Sequence, residues 1–327
     1  MLTEATREQI RLRMLISGIT GSGKTATGLM FSTALARHVG KRVAVIDTEN
    51  GRALSYVKTK FSPDGFFHIP LKTFGVDSYR EALNRAAADP RVGVAFIDSL
   101  SHAWAGEGGL LEEADRGGDS MLKWAPINKA QNKLITSIVG SPLHVIATVR
   151  SKTEYLFDKN SEGKTVISIV GTSPVQRKEM PYEFGIFLNM DRSHRLTVVK
   201  TDCSPLDRME VSEPTEEFML PIIQWLDTGE VVSPLPSDTV RKASQLVVDE
   251  FLAVVVELTG LRPATIRAEF FKKYNCTPLD STEEFLREKM EDAREEIGRK
   301  AKLAPRRTGL ATVKKAEESQ IVETKAM

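Results

Sequence analysis

Gly18-Ile19-Thr20-Gly21-Ser22-Gly23-Lys24-Thr25 has the form G-x-x-x-x-G-K-T, and the rest of the chain is understood outward from it. Its glycines permit backbone conformations and close approaches that a Cβ would block, so successive N–H groups can wrap a chain of phosphates. Lys24 has the reach and charge to meet the β- and γ-phosphates, and the Thr25 hydroxyl is placed to ligate Mg²⁺. The same pattern also arises as a ligand-free glycine turn, so its setting matters. Arg13 to Ser17 before it is a largely apolar run of strand type, and Lys24 to His38 after it lacks proline and reads as a helix. That helix, with Ala26 in its first turn, directs its N-terminus at the phosphates. Gly18 through Ala26 are the expected phosphate-binding residues.

The composition bounds what surrounds this loop. A chain of 327 residues accommodates one large domain and a smaller one. A formal net charge of +1 gives no global argument for nucleic acid or membrane, so any polyanion site must be local. The two cysteines, Cys203 and Cys276, lie far apart without metal-type spacing, which fits a reducing, cytoplasmic compartment and no zinc site. No apolar stretch reaches the roughly 18 residues that span a bilayer. A soluble α/β protein is expected, with a leader at 1–9, a core at 10–230, a linker at 231–237, a helical domain at 238–302 and a basic tail at 303–327.

Two apolar runs end in acids. Arg42-Val43-Ala44-Val45-Ile46-Asp47 reads as a buried parallel strand leading into Thr48-Glu49-Asn50-Gly51-Arg52. Carboxylates at that edge of an open α/β sheet lie near the nucleotide, which makes Glu49 a candidate to activate the attacking water. A solvated loop or helix-capping glutamate is the plainer reading. Val92 to Ser99 repeats the pattern and matches a Walker B strand, so Asp98 is expected to hold Mg²⁺ together with Thr25. A helix is expected from about Ser78 to Ala88 between these strands, and another from Pro126 to Val139 after them. Ser101 to Ala125 between Walker B and the second helix is rich in glycine and reads as a mobile loop, functional or merely an insertion with its tryptophans packed on the body.

His144 to Arg150 is the next buried strand, and its end presents Thr148 and Arg150 near the γ-phosphate edge. Arg150 reads either as a catalytic sensor or as an ordinary strand-end arginine. Ser151 to Ile169 follows as a β-hairpin with its turn at Asp158 to Gly163. Lys152, Lys159 and Lys164 interleave there with Tyr155 and Phe157, the mix of charge and stacking faces that single-stranded nucleic acid needs, although a solvated hairpin accounts for it equally. Tyr182 to Met190 reads as a further strand with Leu196 to Thr201 as its antiparallel neighbour. Arg177 and Lys200 lie near these elements. In a head-to-tail homo-oligomer, ring or filament, they could reach a neighbour's γ-phosphate, and surface salt bridges are their default. Beyond Pro236, helices are expected from Ser237 to Leu258, from Pro263 to Tyr274, and from a capping box at Ser281-Thr282-Glu283-Glu284 to about Lys300. The final stretch is basic and reads as disordered, able to hold a phosphate backbone loosely or merely to solubilise.

Taken in order, the phosphate loop, Ile46-Asp47-Thr48-Glu49, Ala95-Phe96-Ile97-Asp98-Ser99 and Ala147-Thr148-Val149-Arg150 resemble the RecA-like P-loop ATPase core. His144 to Tyr155, Pro174-Val175-Gln176-Arg177 and Tyr182-Glu183-Phe184 are similar to phage-encoded AAA-type ATP-binding proteins, a wider group that includes Sak-type single-strand annealing proteins. The resemblance spans roughly residues 10 to 205. It implies ATP with Mg²⁺, Glu49 as the residue polarising water, Arg150 near the γ-phosphate sensor, the 151 to 170 loop on single-stranded DNA, and Arg177 or Lys200 acting in trans. It further implies a role in annealing or recombination in the cytoplasm of a phage host, beside replication or single-strand-binding proteins. Recombinases usually carry Gln or His at the sensor strand, where this chain has Thr148 and Arg150. A motor or helicase loader acting on a protein partner through the C-terminal helices is the alternative.

Overall fold

The computed structural model describes residues 7, 9–116, 124–159, 165–230, 243–274 and 276–303, of which 153–159, 165–172 and 301–303 are described as backbone only. The parallel strands are β1 (Arg13–Gly18), β2 (Arg42–Asp47), β3 (Phe67–Pro70), β4 (Val92–Asp98), β5 (His144–Lys159) and β7 (Ile186–Met190), with β6 (Thr165–Pro174) paired to β5 as an antiparallel ribbon. The sheet order is β3-β2-β4-β5-β1-β7, continued by the antiparallel β8 (Arg195–Thr201) and β9 (Glu210–Ser212).

Because successive side chains on a strand point to opposite faces, the buried runs supply two cores at once. Leu15, Ile97 and Ala147 pack with α2 (Val76–Ala88) and α5 (Trp124–Val139) on one face. Met14, Ile16, Val94 and Phe96 pack with α1 (Lys24–His38) and α6 (Leu220–Leu226) on the other. A third core joins α7 (Gln245–Thr259), α8 (Pro263–Tyr274) and α9 (Glu283–Leu303) around Phe251, Phe270, Tyr274 and Phe285. The fold is therefore an α/β P-loop NTPase core, a mostly parallel sheet flanked by helices, with a small helical domain after it. Among the described residues, no helix is long and apolar enough to cross a membrane.

Several sequence expectations shift. The glycine-rich stretch after β4 contains two short helices, α3 (Ser101–Ala105) and α4 (Leu110–Arg116), while 117–123 lie outside the described residues. α5 begins at Trp124 because proline is tolerated in a first turn, so Pro126 does not mark the start. The strand and the first hairpin arm expected at 144–169 are one continuous β5, and the turn residues 160–164 lie outside the described residues. Residues Met180–Glu183 form a 3₁₀ turn, so the strand expected from Tyr182 begins at Ile186. Ser237 lies outside the described residues, and α7 is capped by Ser244, whose hydroxyl accepts from the Val247 N–H. The expected capping box at Ser281 does not close. Thr282 is the residue whose hydroxyl accepts from the Phe285 N–H, because Ser281 donates its own proton to Glu81 on α2. Cys203 and Cys276 are free and buried.

Candidate functional site

Register brings the site together. Gly18 at the end of β1 lies beside Arg150 in β5, and Asp47 at the end of β2 lies beside Asp98 at the end of β4. All four therefore stand at one edge of the sheet, where a parallel arrangement collects the carboxyl ends of its strands. Between β1 and α1 the loop takes left-handed conformations at Gly21 (φ 84) and Gly23 (φ 88), which any side chain would strain. A Cβ on Gly18 would fall 2.5 Å from the Met190 carbonyl oxygen and from Ser22 Oγ. Ser22 Oγ is buried and finds no hydrogen-bond partner among the described residues. Lys24 donates to the Ile19 carbonyl at 2.8 Å, arching back over the loop it belongs to. Burial lowers its pKa, opposed by Asp98 and Glu49.

Opposite the loop lies a set of carboxylates with distinct surroundings. Asp98 accepts from Thr25 Oγ1 at 2.8 Å and from Thr148 Oγ1 at 2.5 Å, and the Asp98–Ser99 peptide is cis. Burial raises its pKa against those two hydrogen bonds, with Glu49 and Asp47 adding to the rise. Asp47 is also buried, held by His68 Nε2 at 2.9 Å, and its other oxygen accepts from the Glu49 N–H at 2.7 Å. Glu49 is half-buried and gripped by Arg150, whose Nη2 lies 2.8 and 2.7 Å from its two carboxylate oxygens and whose Nε lies 3.1 Å from one. Burial works against the Glu49 carboxylate, but the hydrogen bonds and charge of Arg150 outweigh it and bring its pKa below the ordinary value.

Lys24, Thr25, Glu49, Asp98 and Arg150 line a cleft of about 510 Å³ that also takes in Arg52, Tyr56, Phe61 and His194. A neighbouring cavity of about 420 Å³ shares Gly23, Ala26, Phe61 and His194 with it and continues along α1 past Thr27 and Met30 to Met190 and Pro214. The first is polar and faces the strand ends. The second mixes Met30, Phe61, Met190 and Pro214 with Lys60, His194 and Glu213 and does not include Asp98. A phosphate chain in the first and a base with its sugar in the second match those linings. A divalent cation also fits. Thr25 and Asp98 offer hard oxygen donors within hydrogen-bond distance of each other, and a positive charge there would relieve the buried Asp98 carboxylate. No group of three or more His, Cys, Asp or Glu among the described residues could hold a metal unaided, so such an ion would take its remaining ligands from phosphates and water.

The expected residues divide cleanly. Gly18 to Ala26, Glu49, Asp98 and Arg150 converge at this edge. Arg177 does not join them and pairs with Glu179 at 2.9 Å. Lys200 donates to the carbonyls of Tyr182 and Phe184 at 2.8 and 2.7 Å, and its neighbour across the ladder is Phe187, towards the opposite edge of the sheet. Neither lines the cleft. Lys152 is exposed at the base of the β5–β6 ribbon. Tyr155, Phe157 and Lys159 lie along β5 as backbone, and the position of Lys164 lies outside the described residues, as do the tail positions beyond 303. Residues that sequence reasoning passed over include Arg52, Tyr56, Phe61, His68 and His194. Arg52 had a usable signal, three positions after Glu49, whereas His194 arrives from the β7–β8 turn, where its Nδ1 meets the Ser22 carbonyl at 3.2 Å.

Fold and cleft together define a P-loop nucleotide-binding protein of the ATPase type. Within that class the chain belongs to the AAA domain family, whose model matches residues 10–212, from just before β1 through β9. No curated protein matches the chain.

Proposed function

We propose that the protein is an Mg²⁺-dependent ATPase of RecA-like type that binds single-stranded DNA and assists annealing or recombination in phage DNA metabolism, related to the Sak-type annealing proteins. The observation that carries it is the convergence of Lys24, Thr25, Glu49, Asp98 and Arg150 in one cleft, with the β5–β6 ribbon continuing from the strand that bears Arg150. Thr25 and Asp98 are the residues to hold Mg²⁺, which supplies charge neutralisation for the transferred phosphoryl group. Lys24 leaves the Ile19 carbonyl for phosphate oxygens. Glu49, ionised at neutral pH, takes a proton from the attacking water. To do so it must be released by Arg150, and the guanidinium finds its alternative anion in the γ-phosphate. That exchange moves the end of β5, and with it the base of the ribbon carrying Lys152. Arg177 and Lys200, outside the cleft, act towards a neighbouring copy in a homo-oligomer.

The experiment is the rate of ATP hydrolysis with and without single-stranded DNA at low salt, where phosphate contacts are strongest. DNA should stimulate turnover, and Lys24→Ala should remove it. Turnover that DNA leaves unchanged, with no strand binding, would end the recombination reading and favour a protein partner. Turnover undiminished in Lys24→Ala would end the ATPase reading itself.

A further inference from the structure

We infer that His102 is a positioning residue for the hydrolytic step, acting through Thr48 on the segment that carries Glu49; the inference rests on the ATPase reading. Glu49 extends from a short segment whose backbone must hold still if its carboxylate is to meet a water. One anchor is the Asp47 carboxylate on the Glu49 N–H. The other is Thr48, which is buried between them and whose N–H donates to the Asp98 carbonyl at 2.8 Å. Its hydroxyl accepts from the Ser99 N–H at 2.8 Å and lies 2.7 Å from His102 Nδ1. A hydroxyl has one proton. Three acceptors are in reach of that proton, the carbonyls of Asp98 at 3.1 Å and Ser99 at 3.2 Å and, nearest, Nδ1; given to the ring, it requires imidazole with its own proton on Nε2. Burial, helped by the charge of Arg150, lowers the His102 pKa and favours that neutral ring. The single hydroxyl thereby ties the segment after β2 to the segment after β4 and both to α3.

His102 is itself held in place. Its ring stacks on Phe74 at 4.8 Å between centroids and 22° between planes. Gly106 makes the stack possible, since a Cβ there would lie 2.8 Å from Phe74 Cδ2 and 2.7 Å from the His102 carbonyl oxygen. The glycines that read as a mobile loop therefore include one required by tight packing. Thr73, beside Phe74, donates to the Lys273 carbonyl at the end of α8, so the helical domain touches the same support from behind.

The test compares His102→Phe, which keeps a stacking ring without an acceptor, with His102→Asn, whose amide oxygen can take the Thr48 proton. His102→Phe should lower kcat by about tenfold, the size of one buried hydrogen bond, with KM for ATP within about twofold. His102→Asn should recover most of that loss. Thr48→Val, which also strands the Ser99 N–H, should lose at least as much as His102→Phe, and the double variant should be no worse than Thr48→Val alone. Wild-type kcat in His102→Phe, or equal losses in the Phe and Asn variants, would overturn the inference. Histidine ¹⁵N NMR on the nucleotide-free protein gives a readout that does not depend on turnover. It should find His102 protonated on Nε2, and protonation on Nδ1 would overturn the inference. A wild-type protein with the Nε2 form but no ATP hydrolysis would instead count against the ATPase reading and leave the hydrogen-bonded support of Glu49 standing.

Discussion

Glu81→Gln should change how the protein's stability depends on pH, and the size of the change follows from the surroundings of that carboxyl. Glu81 is 1% exposed on α2, where it accepts from Ser281 Oγ at 2.5 Å, Thr282 N at 3.0 Å and Thr282 Oγ1 at 3.3 Å, at the entry to α9. Burial pushes its pKa from 4.5 up to about 7, against those hydrogen bonds and the charge of Arg85. Tyr274 and Cys276 complete the neighbourhood without offering a counter-charge at neutral pH. The sign follows from proton counting. Between pH 4.5 and 7 the folded state holds a proton on Glu81 that the unfolded chain has lost, so stability is fully present below 4.5 and falls as pH rises through 7. At about 1.4 kcal/mol per pKa unit, the carboxyl removes ~3 kcal/mol by pH 8. Gln reproduces the protonated group, with an amide to donate towards Thr282 Oγ1 and an oxygen to accept, and it cannot titrate. Denaturant unfolding of both proteins at pH 5 and pH 8 isolates this group, because every other titration cancels in the difference. The wild type should lose about 2.5 kcal/mol more than the variant over that interval, part of the effect being already lost at pH 5. Parallel pH curves for the two proteins would refute the reasoning.

Three further outcomes are expected. Gly28→Ala should destabilise by about 2 to 3 kcal/mol in thermal or denaturant unfolding, because a Cβ there would lie 2.3 Å from Phe96 Cε2, where α1 lies against β4. Arg13→Met should destabilise by about 3 kcal/mol. Its buried guanidinium donates to the carbonyls of Leu12, Val139, Ser141 and Leu143, and an unfolding curve matching the wild type would contradict that role. Arg150→Ala should raise the Glu49 pKa by removing the cation that offsets its burial, moving the acid limb of the kcat–pH profile upward, and an unmoved limb would show that Glu49 is not the group titrating there.

The parts of this structure legible in the sequence are those encoded within a single element. Arg42 to Asp47 and Val92 to Asp98 announce themselves because a strand buried on both faces must be apolar throughout, so a terminal acid stands out. Lys24 to His38 matched its helix residue for residue because the loop before it and Gly40 after it punctuate the chain. What stayed hidden depends on a second element approaching from elsewhere. His68 is an unremarkable strand residue until β3 pairs with β2 and brings it against Asp47. Ser281-Thr282-Glu283-Glu284 satisfied a local capping rule, yet α2 presented Glu81 as a stronger acceptor for Ser281 and moved the cap by one residue. Glycine content likewise conveyed mobility at Ser101 to Arg116, where close packing between helices needs small residues as much as a mobile loop does.

Three side chains that would meet a triphosphate or its cation already have protein partners here. Lys24 holds the Ile19 carbonyl, Thr25 holds Asp98, and Arg150 holds Glu49. On the ATPase reading, binding is then an exchange of partners, and the net gain from each exchanged hydrogen bond is small because one contact replaces another. Lys24 gives up a neutral carbonyl for a charged phosphate, so its exchange favours binding. Arg150 gives up a bidentate carboxylate for a phosphate of similar strength, so its exchange is close to balanced and can run in either direction. A balanced exchange is what a step coupled to the state of the γ-phosphate requires: a group bound far more tightly on one side would be locked there through the whole cycle. The residue most poised to respond to hydrolysis is therefore the arginine at the root of the β5–β6 ribbon rather than the lysine of the phosphate loop.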